Sequence, residues 1–377
     1  MKIFDSPFGD FKLGRWPDNK NDNLQAWDAA DEYLLEYLHG KNLPDQNTVR
    51  RILIVNDSFG ALSCALNRYS PVNWSDSKIS HQAAKENCRR NAISCAHLSV
   101  ASTDSLSGEF DLVLIRMPKA LALLEDQLQR LRPHLHSNTI IIAAAMVKHL
   151  PGTAYKKFEN IVGTVVPSLA RKKARLLFVA PDNKTDIEAS PFPTQYTDPL
   201  VGFALSNHAS VFSRDHLDHG ARFFLQHYSA LPEAGRVADL ACGNGVLGIM
   251  YQKMNPASAM VFIDESYMAI ASTKLNYGEA FPNSTAVFQT TDGLQDSESE
   301  SLDLILCNPP FHQQHTVSRQ IASRFFRDSK RCLQRQGQLW VVANRHLNYD
   351  REMQILFGNC RFVARNKKFF VLRSLKR

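Results

Sequence analysis

The same succession of apolar runs and turns occurs twice along this chain of 377 residues. Each pass opens with an apolar run that leads into a glycine turn, continues with a run that ends in an aspartate, and closes with two further apolar runs. These runs begin at Arg51, Val72, Phe110 and Thr139 in the first pass and at Arg236, Met260, Leu302 and Gln338 in the second. The offset between the passes grows only from 185 residues (Gly60 to Gly245) to 199 residues (Ile140 to Leu339). This repeat predicts two copies of one α/β unit.

Segments with helical character lie between these apolar runs, as in residues 78–91 and 266–277. Strands that alternate with helices form a mostly parallel sheet with helices on both faces. An amphipathic pattern over residues 25–38 predicts one more helix, which packs on the first unit. We therefore expect an α/β fold in each copy.

The length of the chain is too great for one ordinary core and suits two domains. The stretch between Ala180 and Pro193 is polar and then punctuated by prolines, which is typical of a linker. We predict an N-terminal domain of residues 1–188 and a C-terminal domain of residues 189–377.

The composition excludes several classes of protein. With 44% hydrophobic and 21% charged residues it is that of a globular protein, and the longest strongly apolar stretch, Thr139 to Val147, is far too short to cross a bilayer. The chain begins with an early acid, Asp5, and without the apolar segment that directs secretion. Its seven cysteines form no C-x-x-C pair, which argues against a disulfide framework and a zinc site. We expect a cytoplasmic monomer with reduced thiols, with neither a bound metal nor a membrane partner.

Positive charge is concentrated at the C-terminal end. From Arg319 to Arg377 there are 15 Lys or Arg against three acids, a balance of +12, whereas the whole chain carries only +7. Such a region suits a polyanionic substrate, because phosphate contacts supply most of the sequence-independent affinity for nucleic acids. The alternative interpretation is that these charges form a solvated basic face that serves only solubility.

The two copies differ where a ligand site needs particular side chains. The second copy has an acid, a glycine and an amide that the first lacks: Asp239 against Ile54, Gly243 against Ser58, and Asn308-Pro309-Pro310-Phe311 against Arg116-Met117-Pro118-Lys119. These three losses together remove what a ligand-binding turn and an amine-binding loop require. We predict that the first copy is degenerate and keeps the fold without catalysis.

The first copy has two candidate roles. Its basic residues Arg116 and Lys119 and the run from Arg171 to Arg175 can contribute contacts to RNA. The other role is only to pack against the second copy, since basic loops are usually just solvated.

The glycine pattern of the second copy, Gly243-x-Gly245-x-x-Gly248, fits the fingerprint of dinucleotide-binding turns. The fingerprint alone is weak evidence, because glycines after a strand also serve tight turns and close helix packing. Asp239 precedes Gly243 by four residues, where its carboxylate can orient the turn and lie near an ammonium group. A pyrophosphate would sit poorly beside a carboxylate, whereas the amino-acid part and the sulfonium of S-adenosylmethionine would be tolerated. We therefore predict that S-adenosylmethionine is the cofactor.

Two further acids follow the next strands of the second copy. Asp264 ends the second strand, where a carboxylate can accept hydrogen bonds from both ribose hydroxyls of an adenosine cofactor. Asp292, before Gly293, can accept a hydrogen bond from the adenine amine, and an ordinary turn explains the Asp-Gly pair equally well.

Asn308-Pro309-Pro310-Phe311 follows the apolar run Leu302 to Cys307. Exocyclic amines of nucleobases are poor nucleophiles because their lone pair is delocalised into the ring. If the Asn308 side-chain oxygen and the Pro309 carbonyl accept the two N–H hydrogens, the lone pair is aimed at the methyl donor. The prolines stiffen the loop that aims the carbonyl, and Phe311 can stack on the base. The alternative is that Asn308 to Pro310 form only a turn that stops a helix. In that case their position after an apolar strand and downstream of a glycine turn would be a coincidence.

These residues together resemble a known family. The second half looks like a class I S-adenosylmethionine-dependent methyltransferase, and the whole chain resembles the ribosomal RNA guanine-N2 methyltransferases of the RlmG and RsmC group. The run Val211-Phe212-Ser213-Arg214-Asp215-His216-Leu217-Asp218-His219-Gly220 matches the F-S…L-D-x-G run of that group, which lies over the cofactor. The resemblance implies two tandem Rossmann-like class I methyltransferase domains, of which the first is degenerate. It also implies that Phe212 contacts the cofactor.

We accordingly expect methylation of the exocyclic N2 of a guanine in 23S ribosomal RNA, in a protein-poor or early assembly state. The alternatives are a guanine-N2 or adenine-N6 methyltransferase of small-subunit (16S) RNA, a methyltransferase of a protein glutamine, a nicotinamide dehydrogenase that uses the glycine turn, and an RNA-binding assembly factor without activity.

Overall fold

A computed structural model describes residues 2–17, 23–45, 47–94, 98–182, 188–310 and 315–377, without the side chains of residues 315–318. The chain forms two compact units, Met1–Pro191 and Phe192–Arg377. The sequence predicts the boundary between residues 188 and 189. Within the described ranges, no helix has the length and apolar character needed to cross a membrane.

Unit 1 contains a hairpin followed by alternating strands and helices. Its strands are β1 (Lys2–Ser6), β2 (Gly9–Leu13), β3 (Ile52–Val55), β4 (Val72–Ser75), β5 (Leu98–Ala101), β6 (Phe110–Arg116), β7 (Leu135–Met146), β8 (Gly163–Pro167) and β9 (Ala174–Pro181). Its helices are α1 (Ala29–Gly40), α2 (Ala61–Ala65), α3 (Lys78–Arg90), α4 (Leu121–Leu131) and α5 (Gly152–Ile161).

Unit 2 repeats this order of elements. Its strands are β10 (Thr194–Thr197), β11 (Ala204–Asn207), β12 (Arg236–Leu240), β13 (Ala259–Asp264), β14 (Val287–Thr290), β15 (Leu302–Cys307), β16 (Leu333–Asn344), β17 (Arg361–Arg365) and β18 (Phe369–Leu375). Its helices are α6 (His219–Leu225), α7 (Val246–Met254), α8 (Tyr267–Ala280), α9 (His315–Cys332) and α10 (Tyr349–Phe357).

The two seven-stranded sheets have the same topology. The strand order is β5-β4-β3-β6-β7-β9-β8 in unit 1 and β14-β13-β12-β15-β16-β18-β17 in unit 2. In each sheet the first five strands in this order run parallel, and the sixth (β9 or β18) runs antiparallel to both of its neighbours. The prediction of two tandem Rossmann-like α/β units is thereby confirmed.

The parallel register of unit 2 brings its turns together. β12 lies between β13 and β15, and its last residue, Leu240, is opposite Ile263 on one side and Cys307 on the other. The chain therefore leaves these three strands at one edge of the sheet. In sheets of this kind ligands bind at the carboxyl ends of the strands, where the strand order reverses.

Apolar side chains cover both faces of the sheet in unit 2. One face is lined by Phe224, which stacks on Trp340 with ring centroids 6.3 Å apart, and by Phe262, which stacks on Phe288 at 5.5 Å. Helices α9 and α10 pack on the opposite face, where Phe326 of α9 is fully buried. Both faces of the strands are thus sealed, and only their ends remain for chemistry.

The sequence pattern found the repeated strands but missed other elements. The predicted helices over residues 78–91 and 266–277 correspond to α3 and α8, and the helix predicted over residues 25–38 corresponds to α1. The hairpins β1–β2 and β10–β11 and the antiparallel strand pairs β8–β9 and β17–β18 were not predicted. These strands are short or only partly buried, so they show little of the apolar run that identifies a central strand.

The sequence predicts that Arg116 of unit 1 contacts RNA, but in the structure its side chain is mostly enclosed and is paired with acids of its own unit. Its guanidinium pairs with Asp28 at 2.8 Å and with Asp31 at 3.0 Å, and it also donates to the Ala144 carbonyl at 3.2 Å. Burial raises the pKa of the Asp31 carboxyl to about 7. Arg116 therefore occupies a closed ion-pair network at the position that corresponds to Asn308 of unit 2.

The loop between β8 and β9 is also ion-paired within unit 1. Arg171 pairs with Glu36, and the Lys172 ammonium lies 2.7 Å from Glu32. These acids belong to α1, so the basic loop neutralises the surface of its own unit. Lys119 is exposed.

Arg116→Ala should destabilise unit 1. The substitution leaves Asp28 and Asp31 without their cationic partner, and breaking a buried pair in this way costs about 3 to 5 kcal/mol. Urea denaturation followed by tryptophan fluorescence measures the loss. Lys119→Ala is the matched control and should change stability by less than about 0.5 kcal/mol. Equal stability of the two variants would show that the buried ion pairs contribute nothing.

Candidate active site

The glycine turn, residues 241–245, connects β12 to α7. Ala241, Gly243 and Gly245 have φ angles of 58°, 57° and 79°, a region that side chains disfavour. The backbone N–H of Cys242 donates to the Ile263 carbonyl at 3.0 Å, which ties the turn to the neighbouring strand. The turn is thus a fixed loop of backbone at the edge of the sheet.

The glycines of this turn and of the following helix have different roles. A Cβ on Gly243 would meet no atom within 4 Å, whereas one on Gly245 would lie 2.6 Å from Thr273 and one on Gly248 would lie 2.5 Å from Phe262. Gly245 and Gly248 therefore permit close packing of α8 and β13. Gly243 faces open space, where a ligand can approach the backbone.

Asp264, the last residue of β13, holds the glycine turn. Its Oδ2 accepts a hydrogen bond from the Gly243 N–H at 2.9 Å, and its Oδ1 accepts one from the Ser266 N–H at 3.0 Å. A carboxylate oxygen can accept more than one hydrogen bond, and hydroxyl groups are suitable donors to it. The structure brings Asp264 and Gly243 together as the predicted cofactor site requires.

Asp239 lies beneath the turn and is fully buried. Its Oδ2 accepts a hydrogen bond from the Gly248 N–H at 2.8 Å, and its Oδ1 is buried without a partner among the described residues. Burial, together with the nearby Asp264, raises the pKa of the Asp239 carboxyl to about 8. The side chain orients the start of α7, in agreement with its predicted effect on the turn, but has no exposed surface with which to contact a ligand directly.

Asp292 follows β14 and has a cationic partner. Both of its oxygens accept hydrogen bonds from the Arg324 guanidinium of α9, and Asp292 is fully buried. The sequence predicts that this carboxylate accepts a hydrogen bond from the adenine amine. In the structure its oxygens are directed to Arg324, which makes Asp292 an anchor for α9.

Asn308 follows β15 directly and has a fixed orientation. Its Nδ2 donates to Asp218 Oδ2 at 3.1 Å. Because a carboxylate can only accept, this bond determines which end of the amide is the nitrogen. The Asn308 Oδ1 is buried and accepts no hydrogen bond within the described residues. The amide thus presents an acceptor that lacks a donor.

Asp218 comes from the segment that precedes α6. The same oxygen that binds Asn308 also accepts from the Ala221 N–H at 2.9 Å and so caps α6. A Cβ on Gly220 would lie 3.0 Å from Asp218 Oδ2, 3.5 Å from Phe369 and 3.6 Å from Asn308 Oδ1. Gly220 therefore sits among these three side chains, and its missing side chain leaves them room.

The other predicted residues are placed as follows. Pro309 is buried and Pro310 is partly exposed, directly after Asn308. Phe311 lies outside the described residues. Phe212 is 53% exposed in the loop between β11 and α6. Cys307 is fully buried at the end of β15, and burial raises the pKa of its thiol well above the ordinary value, so it is no nucleophile.

Sequence reasoning missed several residues of the site. Asp218 and Gly220 stood in a recognised run but received no role of their own, although an aspartate just before a helix is a capping signal. Three asparagines also brace the glycine turn: Asn244 donates to Asn207 at 2.9 Å, and Asn276 donates to the Asn244 carbonyl at 2.9 Å. Nothing in their spacing indicates this contact. Across the described ranges, no cluster of His, Cys, Asp and Glu suited to a metal is present.

A glycine turn at the edge of a Rossmann-like sheet, with an Asn-Pro-Pro loop on the adjacent strand, defines unit 2 as a methyltransferase domain. Residues 202–373 match the methyltransferase small domain, and residues 1–183 match the RLMG N-terminal domain.

Relatives match the chain over its whole length. Ribosomal RNA large subunit methyltransferase G of Stutzerimonas stutzeri is 47% identical over 378 residues, and the protein of the same name from Streptomyces griseus is 41% identical over 384 residues; both alignments cover 100% of either chain. The chain therefore belongs to the ribosomal RNA large subunit methyltransferase G family.

A solved structure shares the complete fold. The Thermus thermophilus 16S rRNA N2 G1207 methyltransferase (RsmC), in complex with AdoMet and guanosine, superposes with a TM-score of 0.77 over 100% of this chain and 98% of that chain. Its sequence identity is 17%, so this likeness shows the fold.

Asp239 predicts a particular pH dependence of stability. With a pKa of about 8, the folded protein keeps this proton over a range in which the unfolded carboxyl, with its ordinary pKa of 3.8, has lost it. The contribution of Asp239 to the free energy of unfolding is therefore fully present below about pH 4 and is lost as the pH rises towards 8. Asp239→Asn carries no charge and lacks this slope. We expect the variant to gain about 1 kcal/mol or more over the wild type between about pH 5 and pH 8.

Urea denaturation of both proteins across this pH range gives the comparison. If the free energy of unfolding of the two proteins changes with pH in the same way, Asp239 is already ionised in the folded protein.

Proposed function

We propose that this chain transfers a methyl group from S-adenosylmethionine to the exocyclic N2 of a guanine in 23S ribosomal RNA. The observation that carries the proposal is the Asn308 amide, which is fixed by Asp218 and whose buried oxygen has no donor among the residues that the structure describes. A buried acceptor without a partner costs about 1 to 3 kcal/mol. An amine N–H of the substrate would remove that cost.

The residues around the glycine turn fit the cofactor. Gly243 leaves open space above its backbone, and Asp264 beside it has lone pairs for the ribose hydroxyls. We propose that Gly243, Gly245 and Asp264 hold the cofactor, that Asp239 supports the turn from below, and that Phe212 covers it. When bound, S-adenosylmethionine supplies a methyl group on a positively charged sulfur, whose S–C bond breaks as the new N–C bond forms.

Asn308 and Pro309 form an amine clamp. Asn308 Oδ1 accepts one N–H of the amine and the Pro309 carbonyl accepts the other, so the nitrogen lone pair is directed along one line. Pro310 follows Pro309 and restricts its ψ angle, which keeps the Pro309 carbonyl from turning away. The surplus proton leaves to water once the nitrogen has its fourth bond, so no strong base is required. Stacking of the base on Phe311 stays a prediction, as does the contact of Asp292 with adenine.

A basic turn borders the amine clamp and supports an RNA substrate. It consists of Arg345, Arg365, Lys367 and Lys368, which are all exposed. The Arg345 N–H donates to the Lys368 carbonyl at 3.0 Å, so the end of β16 and the β17–β18 turn form one surface. None of these four cations has an ion pair within the described part of the chain. They are available for phosphates, whereas Arg171 and Lys172 of unit 1 are neutralised.

The large-subunit RNA is favoured by the names of the full-length relatives, which share 41% and 47% identity with this chain, against 17% for the 16S enzyme. A base must leave its stack to enter the clamp. Protein-poor RNA offers such bases more readily than an assembled subunit, and we propose it as the substrate. A cytoplasmic monomer remains our prediction.

Asn308→Ala should abolish methyl transfer and leave cofactor binding nearly unchanged. The clamp loses the acceptor that aims the lone pair, which we expect to lower kcat by about 100-fold or more, as for the loss of one preorganised polar group. Mass spectrometry of nucleosides from protein-poor 23S RNA measures N2-methylguanosine, and calorimetry measures cofactor affinity. Asn283→Ala, at an exposed asparagine far along the chain from the clamp, is the matched control.

Different methylated products separate the alternatives. N6-methyladenosine in the digest would replace guanine by adenine in the proposal, and methylation of 16S RNA alone would move the target to the small subunit. Full activity of Asn308→Ala would refute the clamp.

Gly243→Ala should weaken cofactor binding as well as the fold. At a φ of 57° a side chain costs about 1 to 2 kcal/mol, and the added Cβ projects into the space proposed for the cofactor. We expect affinity to fall by at least about 10-fold, since a misplaced methyl group costs 1.4 kcal/mol or more. Gly278→Ala in α8, where a Cβ also meets no atom within 4 Å, should not weaken binding. Unchanged affinity of Gly243→Ala would place the cofactor elsewhere.

A further inference from the structure

Asp218 combines two tasks in one carboxylate. Its Oδ2 accepts hydrogen bonds from Asn308 Nδ2 at 3.1 Å and from the Ala221 N–H at 2.9 Å. This oxygen is fully committed to the fold. The other oxygen, Oδ1, receives no hydrogen bond in the described part of the chain, and the side chain is partly exposed. One half of the carboxylate is therefore anchored and the other half is free beside the amine clamp.

Gly220 lets this carboxylate and the Asn308 amide come close to the backbone of α6. The point where its Cβ would lie is within 3.6 Å of Asn308 Oδ1, Asp218 Oδ2 and the Phe369 ring. Phe369 in turn lies against Phe223, with ring centroids 6.3 Å apart and planes 28° apart. The Asp218 carboxylate, the Asn308 amide oxygen and an aromatic ring thus pack together around Gly220.

Unit 1 supplies an internal comparison. Asp28 caps α1 as Asp218 caps α6. Each binds a side chain at the end of the fourth strand, in chain order, of its seven-stranded sheet: Arg116, the last residue of β6, and Asn308, directly after β15. The position of Gly220 is taken by Ala30, which is completely buried. In unit 1 the Arg116 guanidinium occupies this position and pairs with the acids. In unit 2 the same frame leaves acceptors without donors.

We infer that Asp218 reads the base, its Oδ1 accepting the N1–H of guanine while Asn308 Oδ1 accepts an N–H of the N2 amine. This inference rests on the proposed function, and it assigns the selection of guanine to Asp218. Guanine carries N1–H and the N2 amine side by side, so acceptors on two side chains that are hydrogen-bonded to each other suit its Watson–Crick edge. Adenine has an acceptor at N1, which would face the carboxylate and be repelled.

Asp218→Asn tests this assignment by exchanging an acceptor for a donor. The Asn oxygen can take over both bonds of Oδ2, to Asn308 and to Ala221, so the amine clamp and the cap of α6 are kept. Its NH₂ group then occupies the place of Oδ1. This group repels the N1–H of guanine but matches 2,6-diaminopurine, which has the same N2 amine and an N1 acceptor.

The experiment uses the full-length protein and synthetic RNA around the methylated guanosine, once mass spectrometry has located it. That guanosine is replaced by 2,6-diaminopurine, and kcat/KM is measured for both RNAs. We expect the wild type to prefer guanine by about 10-fold or more, and Asp218→Asn to lower this ratio by at least about 10-fold. Asp28→Asn is the matched control in unit 1 and should leave the ratio unchanged.

The outcomes are distinct. If the wild type methylates guanine and Asp218→Asn slows both RNAs by the same factor, Asp218 only positions Asn308, and this inference fails while the proposed function stands. If the wild type transfers no methyl group to guanine RNA, both fail.

A measurement on the wild type alone serves if Asp218→Asn does not fold. RNA with inosine at the target position keeps N1–H but lacks the amine, so it can bind without being methylated. It should inhibit at a concentration about 10-fold lower than RNA with unsubstituted purine, which has an N1 acceptor. Equal inhibition would overturn the assignment.

Discussion

The site of unit 2 depends on the parallel register of three strands. Leu240 lies opposite Ile263 and Cys307, so β12, β13 and β15 end at the same level. The glycine turn, the carboxylate of Asp264 and the amide of Asn308 follow these three ends. Residues that are up to 67 positions apart in sequence, as Ala241 and Asn308 are, thereby meet at one edge. A shift of one residue in either pairing would point alternate side chains to the other face and separate them.

Unit 1 keeps this register without the site. Val55 lies opposite Trp74 and Ile115, so Asn56 and Arg116 come directly after these paired residues as Ala241 and Asn308 do in unit 2. The Asn56 side chain donates to the Arg116 carbonyl at 3.1 Å, and the Arg116 guanidinium binds two acids. The sheet alone therefore does not provide a ligand site. The side chains at the strand ends decide whether the edge is filled by the protein itself or left for a ligand.

The sequence predicted the elements whose signal is local and missed those that depend on distant contacts. Central strands are buried on both faces and read as continuous apolar runs, which is why the four repeated strands of each unit were recognised. The contact between Asp218 and Asn308 spans 90 residues, and the Asp292–Arg324 pair spans 32. No periodicity indicates such pairs. Asp292 shows the difficulty, because an acid after a strand looks the same in sequence whether or not a distant arginine pairs with it.

The acids of unit 2 follow a common physical arrangement. Asp218, Asp239 and Asp264 each accept at least one backbone N–H, from Ala221, Gly248 and Gly243 respectively. A backbone amide is fixed by the fold, so each carboxylate is oriented before any ligand arrives and loses little freedom when one binds. Asp218 and Asp239 each keep a second oxygen without a donor among the described residues. In Asp239 that oxygen is sealed beneath the turn, where a ligand cannot touch it. In Asp218 it lies at a partly exposed position beside the amine clamp, where direct contact with a base is within reach.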